Sequence, residues 1–183
     1  MTPRLTLVCH AATPALRAAS FPLDEALDDR GLAAARALTG RFGKIGRVFV
    51  SPALRARQTA QAMGLEGETC EALRECDYGR WAGLGFEAVA VAEPEALAAW
   101  ASDPDASPHG GESVTSLIRR IGAWLDGERF EGHRLAVTHA SVVRAAAVHA
   151  LGAPGRAFWR LEAGPLSVTD LRPSPRGWTL RLG

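Results

Sequence analysis

Long apolar runs are missing from this chain. None approaches the roughly 20 residues that a helix needs to cross a bilayer, and the N-terminus shows no charged segment followed by a long apolar stretch and a cleavage site. A membrane partner is therefore not expected, and the cytoplasm is the expected address. Lysine is nearly absent: Lys44 is the only one, so almost all of the 21 Lys and Arg residues are arginines. They are interspersed with 20 acidic residues, for a formal charge of +1, and no basic run marks a nucleic-acid partner. An arginine is informative here only where it stands in a motif. Cysteine is scarce too. Cys9, Cys70 and Cys76 are odd in number and lack paired spacing, which argues against a disulfide framework and suits free thiols in a reducing compartment. No repeat, low-complexity tract or linker interrupts the 183 residues, and with 47% of them hydrophobic the chain suits one domain with a sizeable core.

Two stretches repeat one design. Leu5-Thr6-Leu7-Val8-Cys9-His10 is an apolar run of strand length that ends in a histidine followed by the small residues Ala11 and Ala12. Leu135-Ala136-Val137-Thr138-His139 ends the same way, before Ala140 and Ser141. Each pattern predicts a buried strand delivering an imidazole to a loop at its carboxyl end, where open α/β sheets place ligands. A third strand is predicted over 47–50. Ser51-Pro52 then leads into a helix over about 53–63, with Pro52 tolerated because its missing N–H is not needed there. Arg55 falls in the first turn of that helix, where an anion would meet free N–H groups, the positive end of the dipole and a guanidinium.

Residues 13–27, with Pro14 and Pro22, read as a loop crossing above the strand ends. Asp28 is placed to cap a helix whose apolar face is Leu32, Ala35, Leu38 and Phe42, and Gly43 and Gly46 end it. A short strand is expected over 68–70. The least regular segment, about 73–112, carries helical pieces at 86–91 and 94–101 and is taken as an insertion folded over the site as a lid. From Ser113, the spacing of Val114, Leu117, Ile118, Ile121, Trp124 and Leu125 predicts an amphipathic helix. Its charged face, including Arg119, Arg120 and Asp126, is expected to be solvated. An Ala-rich buried helix is predicted over 142–151, and alternation through Val168, Leu171, Trp178 and Leu180 predicts an antiparallel edge hairpin closing the sheet.

The two histidine strand ends and Ser51-Pro52-Ala53-Leu54-Arg55-Ala56-Arg57-Gln58-Thr59 together resemble the histidine phosphatase superfamily, the fold of phosphoglycerate mutases and α-ribazole phosphatases. The resemblance covers nearly the whole chain. Leu73-Arg74-Glu75, then Gly79-Arg80-Trp81-Ala82-Gly83 and Gly110-Gly111-Glu112-Ser113, resemble the α-ribazole phosphatase branch in particular. It implies an α/β fold, a three-layer sandwich with a mainly parallel sheet and helices on both faces. It also implies a phosphatase acting on a small phosphorylated metabolite. His10 would be the nucleophile that becomes phosphorylated, Arg55 and His139 would hold the transferred group, and Glu75 would protonate the leaving oxygen and later activate water. The Thr13 hydroxyl and the Ala140 N–H are further candidates for phosphate contact. No metal or organic cofactor is implied. Mutase activity is less expected, because a short chain has little sequence to spare for reorienting a bisphosphorylated intermediate. A carboxyl partly buried under a lid is expected to have its pKa raised toward the range useful for proton donation. A protonated His139 would add a second charge to the planar fork of Arg55.

The first motif departs from the family's Arg-His-Gly: Cys9 precedes His10 and Ala11 follows it. One preorganised donor to transition-state charge is worth about 3–4 kcal/mol, roughly 10²–10³ in rate. Two readings are therefore open at this point. Cys9 lines the site of a phosphatase whose lost charge is restored by Arg17, Arg57, Arg74, Arg80 or His109, or the chain is a weakened or inactive member that binds a phosphorylated ligand or a protein partner. A zinc site built from Cys9, His10, Glu75 and His139 is disfavoured, because adjacent strand residues point to opposite faces.

Overall fold

The computed structural model describes residues 3–128 and 131–181. The strand β1 (Arg4–Cys9) has every residue but the first buried. It lies inside a six-stranded sheet with β2 (Arg47–Val50), β3 (Glu68–Thr69), β4 (His133–Thr138), β5 (Val168–Ser174) and β6 (Gly177–Arg181), in the order β3-β2-β4-β1-β5-β6. β3, β2, β4 and β1 are mutually parallel, and the C-terminal hairpin adds β5 and β6 antiparallel at one edge. The hairpin and the mainly parallel sheet are as the sequence patterns predict.

Alternation along β1 divides the core. Leu5 and Leu7 face a cluster with Leu117, Ile121 and Leu125 of α6 (Val114–Gly127) and Val142 and Ala146 of α7 (Ala140–Leu151). Val8 faces the other way, against Ala35 of α2 (Asp29–Arg36) and Ala56 and Ala60 of α3 (Leu54–Ala62). Helices thus cover both faces of the sheet, giving the three layers expected. Leu7 is completely buried at this centre. Leu7→Ala is expected to lower the unfolding free energy by about 2–5 kcal/mol, the usual cost of a core cavity, read by urea denaturation with an unchanged m-value.

The sheet register sets the level of the strand ends. Cys9 pairs with Thr138 and Val50 with Val137, and His10 N–H donates to Thr138 O at 2.8 Å while Ser51 N–H donates to Val137 O at 2.9 Å. Ser51, His139 and His10 therefore emerge side by side from three neighbouring strands. α2 is pressed onto the turn that follows His10: a Cβ on Gly31 would stand 2.3 Å from Ala12 O, so only glycine fits that contact. Asp28 caps the helix by accepting from Gly31 N–H at 2.6 Å. The helical run stops at Arg36, sooner than its apolar face suggests, and continues as turns to residue 42.

The expected loop 13–27 holds one helical turn, α1 (Pro14–Arg17), capped by Thr13. Phe21 then pins it to the segment between α3 and α6. Its ring lies 5.1 Å from Tyr78 and 5.4 Å from Trp81, and its backbone exchanges hydrogen bonds with Gly83 and Leu84. That segment contains two 3₁₀ turns, α4 (Phe86–Ala92) and α5 (Pro94–Ser102). Its two ends meet where Gly79, at φ +47°, would carry a Cβ 2.2 Å from His109 O.

Arg120 departs from its expected solvated role. Its guanidinium pairs with Glu112 at 2.6 and 2.8 Å and donates to the carbonyls of Ala72 and Arg74 at 2.6 and 3.1 Å. A fixed planar fork is suited to such convergence, and it fastens the loop that carries Glu75. Asp126 is also engaged, accepting from Trp178 Nε1 at 2.9 Å. All three cysteines are free. Among the described residues no helix is long and apolar enough to cross a membrane.

Candidate active site

Four of the side chains singled out by sequence converge above the carboxyl ends of β1 and β4. His10 Nδ1 lies 2.7 Å from Ala11 O, and since a carbonyl only accepts, that nitrogen carries the proton. Nε2 is left with its lone pair, which accepts from Arg55 Nε at 3.2 Å. Burial lowers the His10 pKa and the neighbouring Arg55 charge adds to that, so the ring is neutral. The His139 ring stands 5.2 Å from the His10 ring, edge-on.

Arg55 is 2% exposed, held by Leu23 O at 2.8 Å from NH1 and by Glu75 Oε2 at 3.2 Å from NH2. Its backbone is fixed in turn: Thr59 Oγ donates to Arg55 O at 2.7 Å and accepts from Ala11 N–H at 3.0 Å, tying α3 to the turn after His10. Glu75 accepts from Cys76 N–H at 2.9 Å and from the Ser141 hydroxyl, and its Oε2 lies 3.3 Å from His139 Nδ1. The other nitrogen of His139 is 2.7 Å from Ser51 Oγ.

The electrostatics correct two expectations. Burial opposes ionisation of Glu75, but His139 and Arg55 beside it, with the Ser141 hydroxyl, hold its carboxyl down to about 2 rather than raising it. His139 is pushed by burial from the ordinary 6.5 down to about 3, with Glu75 opposing and Arg55 assisting, so in the free protein it is neutral. The cluster holds one cation and one anion. Both groups depend on pH in the same direction. A folded pKa below the unfolded value means that the unfolded chain binds more protons between the two, and stability is lost as pH falls through that window. For His139 the window is 6.5 to about 3, and for Glu75 it is 4.5 to about 2. The melting temperature is expected to fall on acidification below about pH 6.5, and His139→Gln to flatten the fall between pH 6 and 5, as measured by calorimetry.

The remaining candidates are placed differently. Thr13 is buried as the cap of α1, accepting from Leu16 N–H at 3.2 Å. Ala140 is the first residue of α7, directly after His139. Burial, with Glu75, pushes the Cys9 thiol up to about 12, against the pull of Arg144 and Arg55, so it is an uncharged thiol. His109 is not brought to the cluster. It is buried between Tyr78 and Trp81, with Nδ1 accepting from Gly111 N–H at 3.0 Å and desolvation lowering its pKa. Among the arginines considered as replacements, Arg17 pairs with Asp28 and Arg80 with Glu93, both on the surface, and Arg57 is exposed. Arg74 lines the same cavity as Arg55, Glu75, Leu23 and Tyr78, a space of about 350 Å³, but its side chain is 47% exposed and 3.9 Å from Glu112.

Ser51, Ser141 and Arg120 belong to the site's support and were not singled out for it by sequence. Ser51 stood in the Ser-Pro motif, and a hydroxyl at a strand end level with the histidines was its only signal. His10, Glu75 and His139 present ligand atoms within 4.8 Å of one another, without Cys9. A metal ion there would meet the Arg55 guanidinium already bonded to both His10 and Glu75. The donor set suits an anion better.

The chain belongs to the histidine phosphatase superfamily, whose branch 1 sequence model matches residues 5–182. It is 33% identical over 150 residues to the Bifunctional protein Rv2228c of Mycobacterium tuberculosis, covering 77% of this chain and 41% of that protein. The chain thus spans about two-fifths of the length of that curated relative. In structure it matches the mycobacterial glucosyl-3-phosphoglycerate phosphatase Rv2419c in complex with VO3, at TM-score 0.87 and 26% identity over 99% of this chain and 98% of the other. The α-ribazole phosphatase of Shigella flexneri shares the fold, at TM-score 0.82 and 21% identity over 98% and 95% of the two chains.

Proposed function

We propose that this protein is a phosphomonoesterase that hydrolyses a small phosphorylated metabolite through a phosphohistidine at His10. The observation that carries the reading is the fixed tautomer of His10. Its proton is committed to Ala11 O, which leaves the Nε2 lone pair on the side of Arg55. That is a nucleophile positioned before substrate arrives.

In the first step Nε2 attacks phosphorus, the N–P bond forms, the P–O bond to the alcohol breaks, and Glu75 gives its proton to the departing oxygen. In the second, Glu75 takes a proton from water, the resulting hydroxide attacks phosphorus, the N–P bond breaks, and inorganic phosphate leaves. Glu75 must be protonated at the start, although it is ionised in the free protein. An arriving phosphate dianion supplies the change: it draws the Arg55 charge to itself and sets negative charge beside the carboxylate, and both raise the carboxyl pKa. Transfer of this kind depends mainly on positioning and charge stabilisation. Arg55 and His139 hold the phosphoryl group, Ser51 and Ser141 orient His139 and Glu75, and the segment 73–112 closes over them as a lid. No metal or organic cofactor enters the reaction.

A cavity of about 350 Å³ suits a small metabolite. The mycobacterial phosphatase named above, similar along its whole length, supports the reaction class. The α-ribazole phosphate of cobalamin assembly is one candidate substrate, on the resemblance around residues 73–83. The second reading, a weakened member that binds a phosphorylated ligand or protein partner, is favoured by one observation: position 9 carries an uncharged thiol. Aryl phosphate hydrolysis by wild type and Cys9→Arg separates the two. Turnover by wild type is the expected result. A silent wild type with clear turnover in Cys9→Arg would support the second.

A further inference from the structure

Both histidines of the cluster are neutral and its one guanidinium is paired with Glu75, so a phosphate dianion would meet little net positive charge. Outside the cluster, Arg144 makes no ion pair with any described residue. Arg144 lies in the second turn of α7, its Nε shut off from solvent without a hydrogen bond, and its guanidinium stands 5.7 Å over the Phe158 ring. Side chains on a helix lean toward its N-terminus, and His139 is the residue that caps the start of α7. Arg144 also lines a cavity of about 320 Å³ with Val143, Glu162, Ala163, Val168 and Thr169, and Glu162 makes no ion pair with it. Val168 and Thr169 pair with Val8 and Leu7, so the cavity lies against the carboxyl-terminal half of β1.

A second unpartnered atom lies on the same flank. Ser167 O accepts from Cys9 N–H at 3.0 Å, which puts Ser167 opposite Cys9 in the ladder, and its Oγ is buried with no partner. Of the two guanidiniums that act on the Cys9 thiol, Arg144 acts more strongly than Arg55. Ser167 thus stands opposite Cys9, the short, uncharged side chain that precedes His10, and the Arg144 guanidinium is close enough to act on the same thiol. Buried polar groups are rarely left unpaired unless something absent satisfies them.

We propose that Arg144 is the second cation for the phosphoryl group bound at His10, its guanidinium reaching past the small side chain of Cys9, with the Ser167 hydroxyl as a further donor. Cysteine at position 9 then leaves room for a guanidinium arriving from α7, and a longer side chain there would compete for it. This inference rests on the phosphoryl-binding reading of the cluster. Its test measures binding, so it does not require turnover.

Orthovanadate binding is measured by isothermal titration calorimetry for wild type, Arg144→Gln, Arg144→Lys and the double variant Cys9→Arg/Arg144→Gln, with thermal melts to confirm folding. Losing a charge-assisted contact is expected to weaken vanadate about ten- to a hundredfold in Arg144→Gln, and less in Arg144→Lys. The double variant is expected to recover most of the loss, which a merely structural arginine would not allow. Unchanged affinity in a folded Arg144→Gln overturns the proposal and leaves the active-site reading intact, as does a loss that Cys9→Arg fails to recover. If Arg144→Gln does not fold, the comparison passes to Cys9→Arg alone: tighter vanadate binding than wild type overturns the proposal, and equal or weaker binding supports it. Wild type that binds no vanadate overturns the proposal and the active-site reading together.

Discussion

His10→Ala is expected to abolish phosphatase turnover, by about 10⁴-fold or more, with the melting temperature little changed. The magnitude follows from the role. Removing a nucleophile removes the covalent route itself, and what survives is only the assistance that the remaining groups give to direct attack by water. The small effect on folding follows from the contacts. The His10 side chain makes one hydrogen bond to the neighbouring Ala11 carbonyl and one to Arg55, and both Arg55 and the turn keep their other partners through Leu23, Glu75 and Thr59. Steady-state hydrolysis of an aryl phosphate beside a thermal melt checks both halves. An alanine variant that keeps the wild-type rate would exclude His10 as the nucleophile.

Glu75→Gln is expected to carry the next largest effect, and its size should depend on the substrate. General acid catalysis contributes about 10²–10⁴ when the departing group is a poor one. An alkyl phosphate should therefore lose about that factor, whereas an aryl phosphate bearing an acidic phenol, which leaves without help, should lose far less in the phosphorylation step. Glutamine keeps the shape and can still meet Ser141 and Cys76 N–H, but it leaves the buried Arg55 without its carboxylate. Phosphate affinity should consequently hold or improve while turnover falls. Equal losses on both substrates would show that Glu75 only positions Arg55. The pH dependence has the same origin. Because Glu75 is ionised in the free protein and must be protonated in the loaded one, the alkaline limb of kcat for an alkyl phosphate is expected at higher pH than that of kcat/KM, which reports the free carboxyl.

Strand periodicity made the centre of this fold legible. Leu5, Leu7 and Val8 alternate between two cores, and the repeated apolar run ending in histidine points to two buried strands that each deliver an imidazole at the carboxyl end; that the two are parallel neighbours is seen in the structure. Four of the named side chains meet because β1, β4 and α3 are ordered by long-range strand pairing, and that pairing is written into the same apolar runs. The pKa of Glu75 was not legible. Burial alone raises a carboxyl, and nothing in the spacing of residues 55 and 75 says that a guanidinium will lie 3.2 Å away. Arg120 was misread for a related reason. Its place on an amphipathic helix puts it on the polar face, and only the fold brings Glu112 and three loop carbonyls over that face. His109 is one of the loop residues offered by sequence as a replacement cation, yet Tyr78 and Trp81 enclose it. Arg144 was hidden inside an Ala-rich helix, where its isolation among small residues is the one sequence signal that could have drawn notice.

The central assertion is that phosphorus becomes bonded to one particular nitrogen. Quenching wild type in alkali within its first turnovers, where a phosphoramidate survives, and mapping peptides by mass spectrometry reads this directly. The peptide carrying His10 should gain the mass of one phosphoryl group and lose it on acid treatment, and the corresponding peptide of His10→Ala should gain none. Turnover without any such label on His10, or with the label on another residue, would contradict the account.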